Sequence, residues 1–474
     1  MNGPIRFGLV RANTHHLIVA VILSILAGWA LNAHAQTETT LYTFGSFPND
    51  GTQPFAGLVQ GGDGNFYGTT YHGGTNNAGA VFRVSPGGGE TILHTFTGAS
   101  SAFANGLVQG SDSNFYGTTF VGGTNNNGTI FRISPGGSFT NLYLFVGSPN
   151  DGQGPFAGLV LGNDGNFYGT TYYGGTNGVG TVFRISASGT YSTLYAFAGF
   201  PNDGSHPEAA LVQGRDGNFY GTTIAGGTNG VGNIFRITPG GSETNLHSFV
   251  GPPNDGAEPT AALVQGSDGN FYGTTHDGGT NNLGIVFRIS PGGSYTNLYS
   301  FVGFPSDGSF PGAGLVQGSD GNFYGTTITG GANHDGALFR ISPGGVYTSL
   351  YSLGNSPTDG HQPQNGLVQG SDGSFYGTAM VGGTNNVGTV FKLTVPLSPP
   401  ANQVSSVQVA GANVVLSVPS VASEIYQLQF TSAMTPTNWI NQGGSITSGG
   451  SLLTVTNLGG ALLPQGFYRF DITP

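Results

Sequence analysis

Short runs of β-branched and aromatic residues, cut off by glycine-rich polar stretches, recur along this chain at a fixed interval. The most uniform is Phe66-Tyr67-Gly68-Thr69-Thr70. Its Phe-Tyr-Gly-Thr core returns at Phe115, Phe167, Phe219, Phe271, Phe323 and Phe375, after 49 residues once and then after 52 residues five times. One full period holds four apolar runs, at 158–161, 166–171, 181–185 and 193–197. Runs of this length and composition, bounded by turn residues, predict strands. Asn163-Asp164-Gly165 between the first and second is a tight-hairpin signal. A longer loop, Gly174-Gly175-Thr176-Asn177-Gly178, separates the second from the third. Ser-Pro-Gly-Gly, as at 134–137, joins the third to the fourth, and Pro-Asn-Asp-Gly, as at 149–152, leads into the next repeat. No window sustains an apolar 3.6-residue period, so helices are expected to be nearly absent.

Four strands per period and seven periods predict a seven-bladed β-propeller of about 28 strands. An open β-solenoid competes, but its rungs are usually shorter than about 50 residues and it needs distinct capping repeats. The ends of the repeat region favour a ring. Copies of the fourth run begin at Leu41, Leu93, Leu142, Leu194, Leu246, Leu298 and Leu350, so one precedes the first Phe-Tyr-Gly-Thr and none follows 390–393. An N-terminal strand that completes the last blade leaves no open sheet edge. The alternative, with Leu41 starting an innermost strand, counts equally well; the Asp-Gly hairpin is better placed between the two inner strands, which favours the shared blade.

Residues 1–35 carry Arg6 and Arg11, an apolar run over 17–31 and Ala33-His34-Ala35, the pattern of a signal peptide cut before Gln36. The run is short of the roughly 20 residues that span a bilayer, which argues against a retained anchor. No second such run follows, so a soluble secreted or cell-surface protein is expected. The mature part has no cysteine, which excludes disulfides and thiol chemistry. Its 9 basic and 22 acidic residues make it a poor partner for nucleic acid, where Lys and Arg supply the affinity. Only 7% of the residues are charged, so Ser, Thr, Asn and exposed backbone must keep the surface wet. The expected domains are the propeller over 36–395, a Pro-rich linker over 396–402 and a small all-β module over 403–474. The strands of that module are expected at 407–409, 414–418, 425–430, 451–455 and 467–472.

The pattern Gly-Leu-Val-Gln-Gly-x-Asp-Gly-Asn-Phe-Tyr-Gly-Thr-Thr, then Gly-Gly-Thr-Asn, Val-Phe-Arg-Ile and Leu-Tyr-x-Phe, resembles the GloVer tandem repeat of exported bacterial proteins. The resemblance covers residues 41–393 in seven copies. Copy two departs from it in a shortened loop at 97–101 that lacks Pro-Asn-Asp-Gly; the last copy has Lys392 for Arg and Leu353 for Phe. The resemblance implies export and suggests a propeller, and it brings no catalytic residues. Residues 403–474 resemble the C-terminal β-sandwich modules of exported bacterial proteins through Tyr426-Gln427-Leu428-Gln429, Trp439 and Phe467-Tyr468-Arg469.

Asp63, Asp112, Asp164, Asp216, Asp268, Asp320 and Asp372 share one position. Asp-Gly-Asn resembles part of a calcium loop but lacks the further acidic ligands; sevenfold repetition favours a turn-stabilising role. Arg83, Arg132, Arg184, Arg236, Arg288, Arg340 and Lys392 share another. They are read either as an anion-binding ring or, preferably, as partners of a nearby carboxylate, with the hairpin Asp first in line. No histidine spacing indicates a metal site, and no cofactor or metal is expected.

The positions that vary within a fixed frame are the two residues after Phe-Tyr-Gly-Thr-Thr. They include Tyr71, His72, Phe120, Tyr172, Tyr173, His276 and Asp277, the candidate ligand-binding residues, expected around one mouth of the channel. Drift at tolerant surface positions explains the variation equally well. The leading expectation is an exported, non-enzymatic, monomeric binding or surface-scaffold protein, with a glycan as the candidate ligand. The rival is an enzyme acting on extracellular polysaccharide, a lyase or glycosidase. For that role only Glu208, Glu258, His206, His276 and Asp277 offer acid–base groups.

Overall fold

The computed structural model describes residues 7–9, 37–45, 50–98 and 102–395, and beyond them 406–410, 413–420, 425–431, 440–441, 445–447, 451–457 and 466–473. Most of the expected leader, the linker over 396–402 and Trp439 lie outside the described residues. The chain divides into two compact units, the larger comprising Gln36–Gly318 and Asn322–Val395.

That unit is a seven-bladed β-propeller. Blade 1 consists of strand a (Val59–Gln60), strand b (Phe66–Thr70), strand c (Ala80–Val84) and strand d (Glu90–Thr95), antiparallel neighbours in that order. Blades 2 to 6 repeat the arrangement, from Val108–Gln109 to Tyr347–Ser352. Blade 7 takes a, b and c from Val368–Gln369, Phe375–Ala379 and Thr389–Thr394, and its d from the other end of the repeats, Thr37–Thr43. Thr37 pairs with Thr394 and Thr43 with Thr389, around an irregularity between Thr40 and Tyr42. The ring is closed by the N-terminal strand, and Leu41 does not begin an innermost strand.

The repeated motif is the seam between blades. Alternation along a strand sends Phe66 and Tyr67 to opposite faces, and both are buried. Tyr67 stacks on Phe115 of blade 2 with centroids 4.0 Å apart, and the same stack recurs round the ring until Tyr376 meets Phe66 at 4.0 Å. Gly68 is required by close approach: a Cβ there would lie 2.6 Å from the Phe82 ring. Thr118 then donates across the seam to the Ala157 carbonyl at 2.8 Å, and Thr378 donates to Ala56 at 3.4 Å, linking blade 7 to blade 1.

At the a–b hairpin, Asp63 accepts from the Asn65 backbone N–H, the Asn65 side chain and the Tyr67 hydroxyl at 3.1, 2.8 and 2.8 Å. Burial alone would raise its carboxyl, but these donors outweigh it and hold the group below the usual carboxylate range. The expected pairing of the basic ring with this carboxylate is found for Lys392, 2.7 Å from Asp372. It fails for Arg83, Arg132, Arg184, Arg236 and Arg288, which make no ion pair within 4 Å among the described residues. The hairpin Asp is already occupied by donors of its own blade. The half-buried guanidinium sits opposite the tyrosine in register, as Arg83 does with Tyr67.

A second set of aspartates, the third residue of Pro-Asn-Asp-Gly or of its variants Pro-Ser-Asp-Gly and Pro-Thr-Asp-Gly, is buried at the joints between outer strands: Asp50, Asp151, Asp203, Asp255, Asp307 and Asp359. Each accepts from a ring eight residues earlier on the preceding strand d. The donors are Tyr42, Tyr143, Tyr195, His247, Tyr299 and Tyr351, at 2.7 to 3.1 Å. The following Gly N–H and a loop N–H add further bonds, as Gly256 (2.8 Å) and Val250 (3.0 Å) do for Asp255.

In the smaller unit, Ser406–Ala410, Asn413–Ser420 and Ser451–Asn457 form one antiparallel sheet. Ile425–Thr431 pairs with Gly466–Thr473, Ile440–Asn441 and Ile446–Thr447 in another, and Phe7–Leu9 adds to Gly466–Thr473. Among the described residues no helix is long and apolar enough to cross a membrane.

Candidate functional site

Two sets of loops meet at the end of the channel opposite the a–b hairpins: the d–a loops that carry Pro-Asn-Asp-Gly, and the b–c loops that carry Gly-Gly-Thr-Asn. A two-residue ribbon ties them together in each complete repeat, such as Gly51–Thr52 with His72–Gly73 and Gly256–Ala257 with Asp277–Gly278. Just past the ribbon the chain turns into a left-handed conformation at Gln53, Phe103, Gly154, His206, Glu258, Phe310 and Gln362, with φ between 52° and 60°. Side chains other than glycine seldom adopt it, and such residues cluster at ligand sites. Each is held from both sides. Glu258 donates its N–H to the Val231 carbonyl of the preceding blade at 3.0 Å, and its own carbonyl accepts from the His276 N–H at 3.0 Å. The turn therefore sets one variable side chain beside the variable pair of its own blade in six of the seven blades, Gly154 standing there in blade 3.

The enclosed space is a cavity of about 590 Å³ at the channel axis, bordered by Phe55, Asn105, Phe156, Glu208, Glu258, Thr260, His276 and Gln364 among others. Of the seven expected site residues, His276 borders this space and the other six do not; by their contacts the seven fall in two groups. Blades 1 to 3 and the edge of blade 4 form an aromatic arc. Tyr71 stacks on Phe103 at 4.4 Å and lies 5.5 Å from Phe55. His72 meets Phe103 edge-on at 5.5 Å. Phe120 meets Phe156 edge-on at 5.5 Å. Tyr172 contacts Tyr173 at 4.6 Å and His206 at 4.8 Å. Tyr173 is the most open ring of the arc, 41% exposed. The rings thus pack on one another in pairs.

Blade 5 holds the second group. His276 Nδ1 lies 3.1 Å from Asp277 Oδ1, and the imidazole stacks on Phe310 at 5.0 Å. The ligating atoms of Glu258, His276 and Asp277 all lie within 4.8 Å of one another. Glu208, one blade back, is pushed up to about 7, chiefly by burial and then by the charge of Glu258. Burial and the neighbouring Glu208 and Glu258 charges also push the Tyr172 phenol up. No d–a or b–c loop of any repeat contains Lys or Arg. The repeated basic residues pair with the strand-b tyrosine, three residues (roughly 10 Å) from the mouth end of that strand. This end of the ring is acidic without a fixed cation to balance it.

The left-handed ring is the part of the site that the motif reading passed over. Its signal in the sequence is Asp-Gly-x-x-Pro, with the left-handed residue immediately before the proline in every repeat except the second.

The fold and this mouth define a class: a closed seven-bladed propeller with a uniform frame and a variable, cation-poor rim. The chain belongs to the Gloeobacter/Verrucomicrobia repeat family, which matches residues 62–268 and 210–409. No curated protein matches it. Similar solved structures include the lectin BP39L from Burkholderia pseudomallei, 11% identical over 72% of this chain and 95% of that one, with a TM-score of 0.49. Puromycin hydrolase is 13% identical over 80% of this chain and 61% of that one, also at 0.49. A protein of unknown function from Dyadobacter fermentans is 10% identical over 80% and 97%, at 0.39. Likeness this distant does not speak to ligand or reaction.

Proposed function

We propose that this is an exported, non-enzymatic binding propeller, secreted or displayed at the cell surface, whose channel mouth takes a saccharide. The observation that carries the reading is the left-handed ring. Six of the seven held turns carry a side chain at the rim (Gln53, Phe103, His206, Glu258, Phe310 and Gln362), Glu258 bordering the concave space itself, while the frame behind them hardly changes. Flat rings at Tyr71, Phe103, Tyr172 and Tyr173 offer surfaces for the apolar faces of sugars. Gln364, Glu208 and Glu258 offer hydrogen-bond partners for hydroxyls. A concave site with apolar walls and a few placed polar groups is the usual form of a small-ligand pocket. Cleavage before Gln36 would remove Phe7–Leu9 from the C-terminal sheet and leave the closing strand Thr37–Thr43 intact.

One observation favours a second reading, a polysaccharide lyase or glycosidase. Glu208 holds its proton near neutrality beside the more exposed Glu258, the division of labour that an acid–base pair requires. A glycan array scored for binding, with product detection on the same sugars, separates the two. Retention without turnover supports the binding protein; turnover lost in Glu208→Gln supports the enzyme. Replacing Tyr172 and Tyr173 together by alanine should abolish binding and leave the unfolding midpoint nearly unchanged. Binding that survives the double change overturns the site.

A further inference from the structure

We propose that Glu258, His276 and Asp277 bind a divalent transition-metal ion, of the Zn²⁺ or Mn²⁺ class, at the rim of the channel mouth. This inference stands apart from the saccharide reading and does not need it.

The donor set is mixed, two carboxylates and one imidazole, which suits Zn²⁺ or Mn²⁺ better than an all-oxygen ion such as Ca²⁺. Three protein ligands with an open position is also the pattern of zinc sites that take a further water or ligand. The backbone has brought the three together by design of the repeat. Ala257 pairs with Asp277 in the ribbon, and the next residue along, Glu258, accepts the His276 N–H on its carbonyl. Glu258 is fixed at a φ of 52°, and the imidazole is braced against Phe310. Little reorganisation separates this arrangement from a bound one. His276 Nδ1 and Asp277 Oδ1 are 3.1 Å apart, the separation of two ligands about 2.1 Å from one ion at nearly a right angle.

The same three positions in the other blades supply an internal control. They read Gln53/Tyr71/His72 in blade 1, Gly154/Tyr172/Tyr173 in blade 3 and His206/Ile224/Ala225 in blade 4. Only blade 5 places a carboxylate or imidazole at all three. Charged residues make up 7% of this chain, so two carboxylates and an imidazole at adjacent sites stand out from its background. The loops of this face contain neither Lys nor Arg, so the contact an ion must displace is the 3.1 Å hydrogen bond between His276 Nδ1 and Asp277 Oδ1.

The test uses the full chain without an affinity tag, stripped with EDTA and dialysed against ZnCl₂ and then metal-free buffer. Bound metal is measured by elemental analysis, and the same protein is titrated with CoCl₂ and followed by its visible absorption. The expected result is one Zn²⁺ per chain, a cobalt spectrum carrying an imidazole ligand, and no displacement by excess CaCl₂. His276→Gln and Glu258→Gln should each weaken binding by about a hundredfold, the upper end of what loss of an outer-shell partner costs. Glu258 is exposed, so its variant keeps the fold and serves where the histidine variant does not. Clearly substoichiometric zinc in the wild type overturns the proposal. So does zinc retained equally by Glu258→Gln, which would mean that the ion sits elsewhere, for example at His361 and Asp335, 3.3 Å apart. Because no sugar enters this assay, its failure leaves the saccharide reading untouched, and a failed glycan screen leaves the metal site standing.

Discussion

The joint between blades 4 and 5 and the joint between blades 1 and 2 solve the same packing problem in opposite ways. At the first, buried Asp255 gathers four donors: His247 and Tyr295 from the two outer strands, and the N–H groups of Val250 and Gly256. Burial works against its charge, yet the donors, led by His247 and Tyr295, hold it below the usual carboxylate range. His247 and Tyr295 also stack at 3.8 Å. At the second, the shortened loop has no aspartate, and the residue equivalent to Tyr295 is Phe139. His94 stacks on it at 3.9 Å, nearly parallel, and burial lowers the His94 pKa. At these two joints a hydroxyl is present where a carboxylate accepts from it and absent where the loop has no aspartate. A buried polar group is tolerated when its partner is supplied and is costly otherwise.

The other joints fill in the series. Tyr191 and Tyr347 stand where Tyr295 does, while Glu38, Glu90 and Glu243 occupy that position at the joints of Asp359, Asp50 and Asp203. One carboxyl oxygen of each of these three glutamates is buried with no hydrogen-bond partner. A protonated glutamate can donate as tyrosine does; an ionised one sets two carboxylates against each other.

The largest expected effect comes from removing two joints at once. Deleting 37–44 takes away Glu38 and Tyr42 together with the strand that closes blade 7. Thermal unfolding should lose more midpoint than in any single substitution below, and an unchanged midpoint would mean that the closing strand does not bear on stability. Next in size is Asp255→Ala, which leaves four donors unmatched and should cost about 3 kcal/mol in denaturant unfolding. A cost below about 0.5 kcal/mol, typical of an exposed site, would show that the joint is wet.

These joints mark the limit of what was legible in the primary structure. Strand order, blade count and the closing strand follow from Phe-Tyr-Gly-Thr and from the seven Leu-Tyr-x-Phe runs, because both signals are local and repeated. Pro-Asn-Asp-Gly reads locally as a turn. The role of its aspartate as a hub depends on a ring eight residues upstream and on a second group such as Tyr295, 40 residues downstream. Within one window these residues have no visible connection. The arginine ring was misjudged for a related reason: spacing alone could not reveal that Asn65 and Tyr67 already fill the acceptors of Asp63. The mouth is marked in the sequence by variable positions, but its geometry depends on left-handed turns that only Asp-Gly-x-x-Pro announces.

A smaller effect should appear with pH. Burial, then the charge of the facing aspartate, pushes Glu38 up to about 8 and Glu90 and Glu243 up to about 7, against 4.5 when unfolded. The folded chain therefore binds these protons more tightly than the unfolded one. The stability they confer is complete below about pH 4.5, falls as pH rises, and is lost once pH passes 7 to 8. The unfolding midpoint should decline by several degrees between pH 5 and pH 8.5. The triple change Glu38→Tyr, Glu90→Tyr and Glu243→Tyr, which makes these joints like that of Asp255, should flatten the decline. An equal slope in the triple variant would assign the pH dependence to other groups.

The smallest effects come from exchanging one hydroxyl across the original comparison. Tyr295→Phe removes a 2.7 Å bond to Asp255 and keeps the ring stacked on His247, so it should cost about 1 kcal/mol. Phe139→Tyr adds a phenol where the loop has no aspartate, and should also destabilise, by about 1 kcal/mol or less, with the stack on His94 preserved. Both substitutions keep the aromatic area, so their shared sign isolates the carboxylate as the deciding partner. If Phe139→Tyr instead stabilised the chain as much as Tyr295→Phe weakened it, tyrosine would be favoured at this position whatever faced it. The pairing of hydroxyl with aspartate at the joint of blades 4 and 5 would then have no energetic basis.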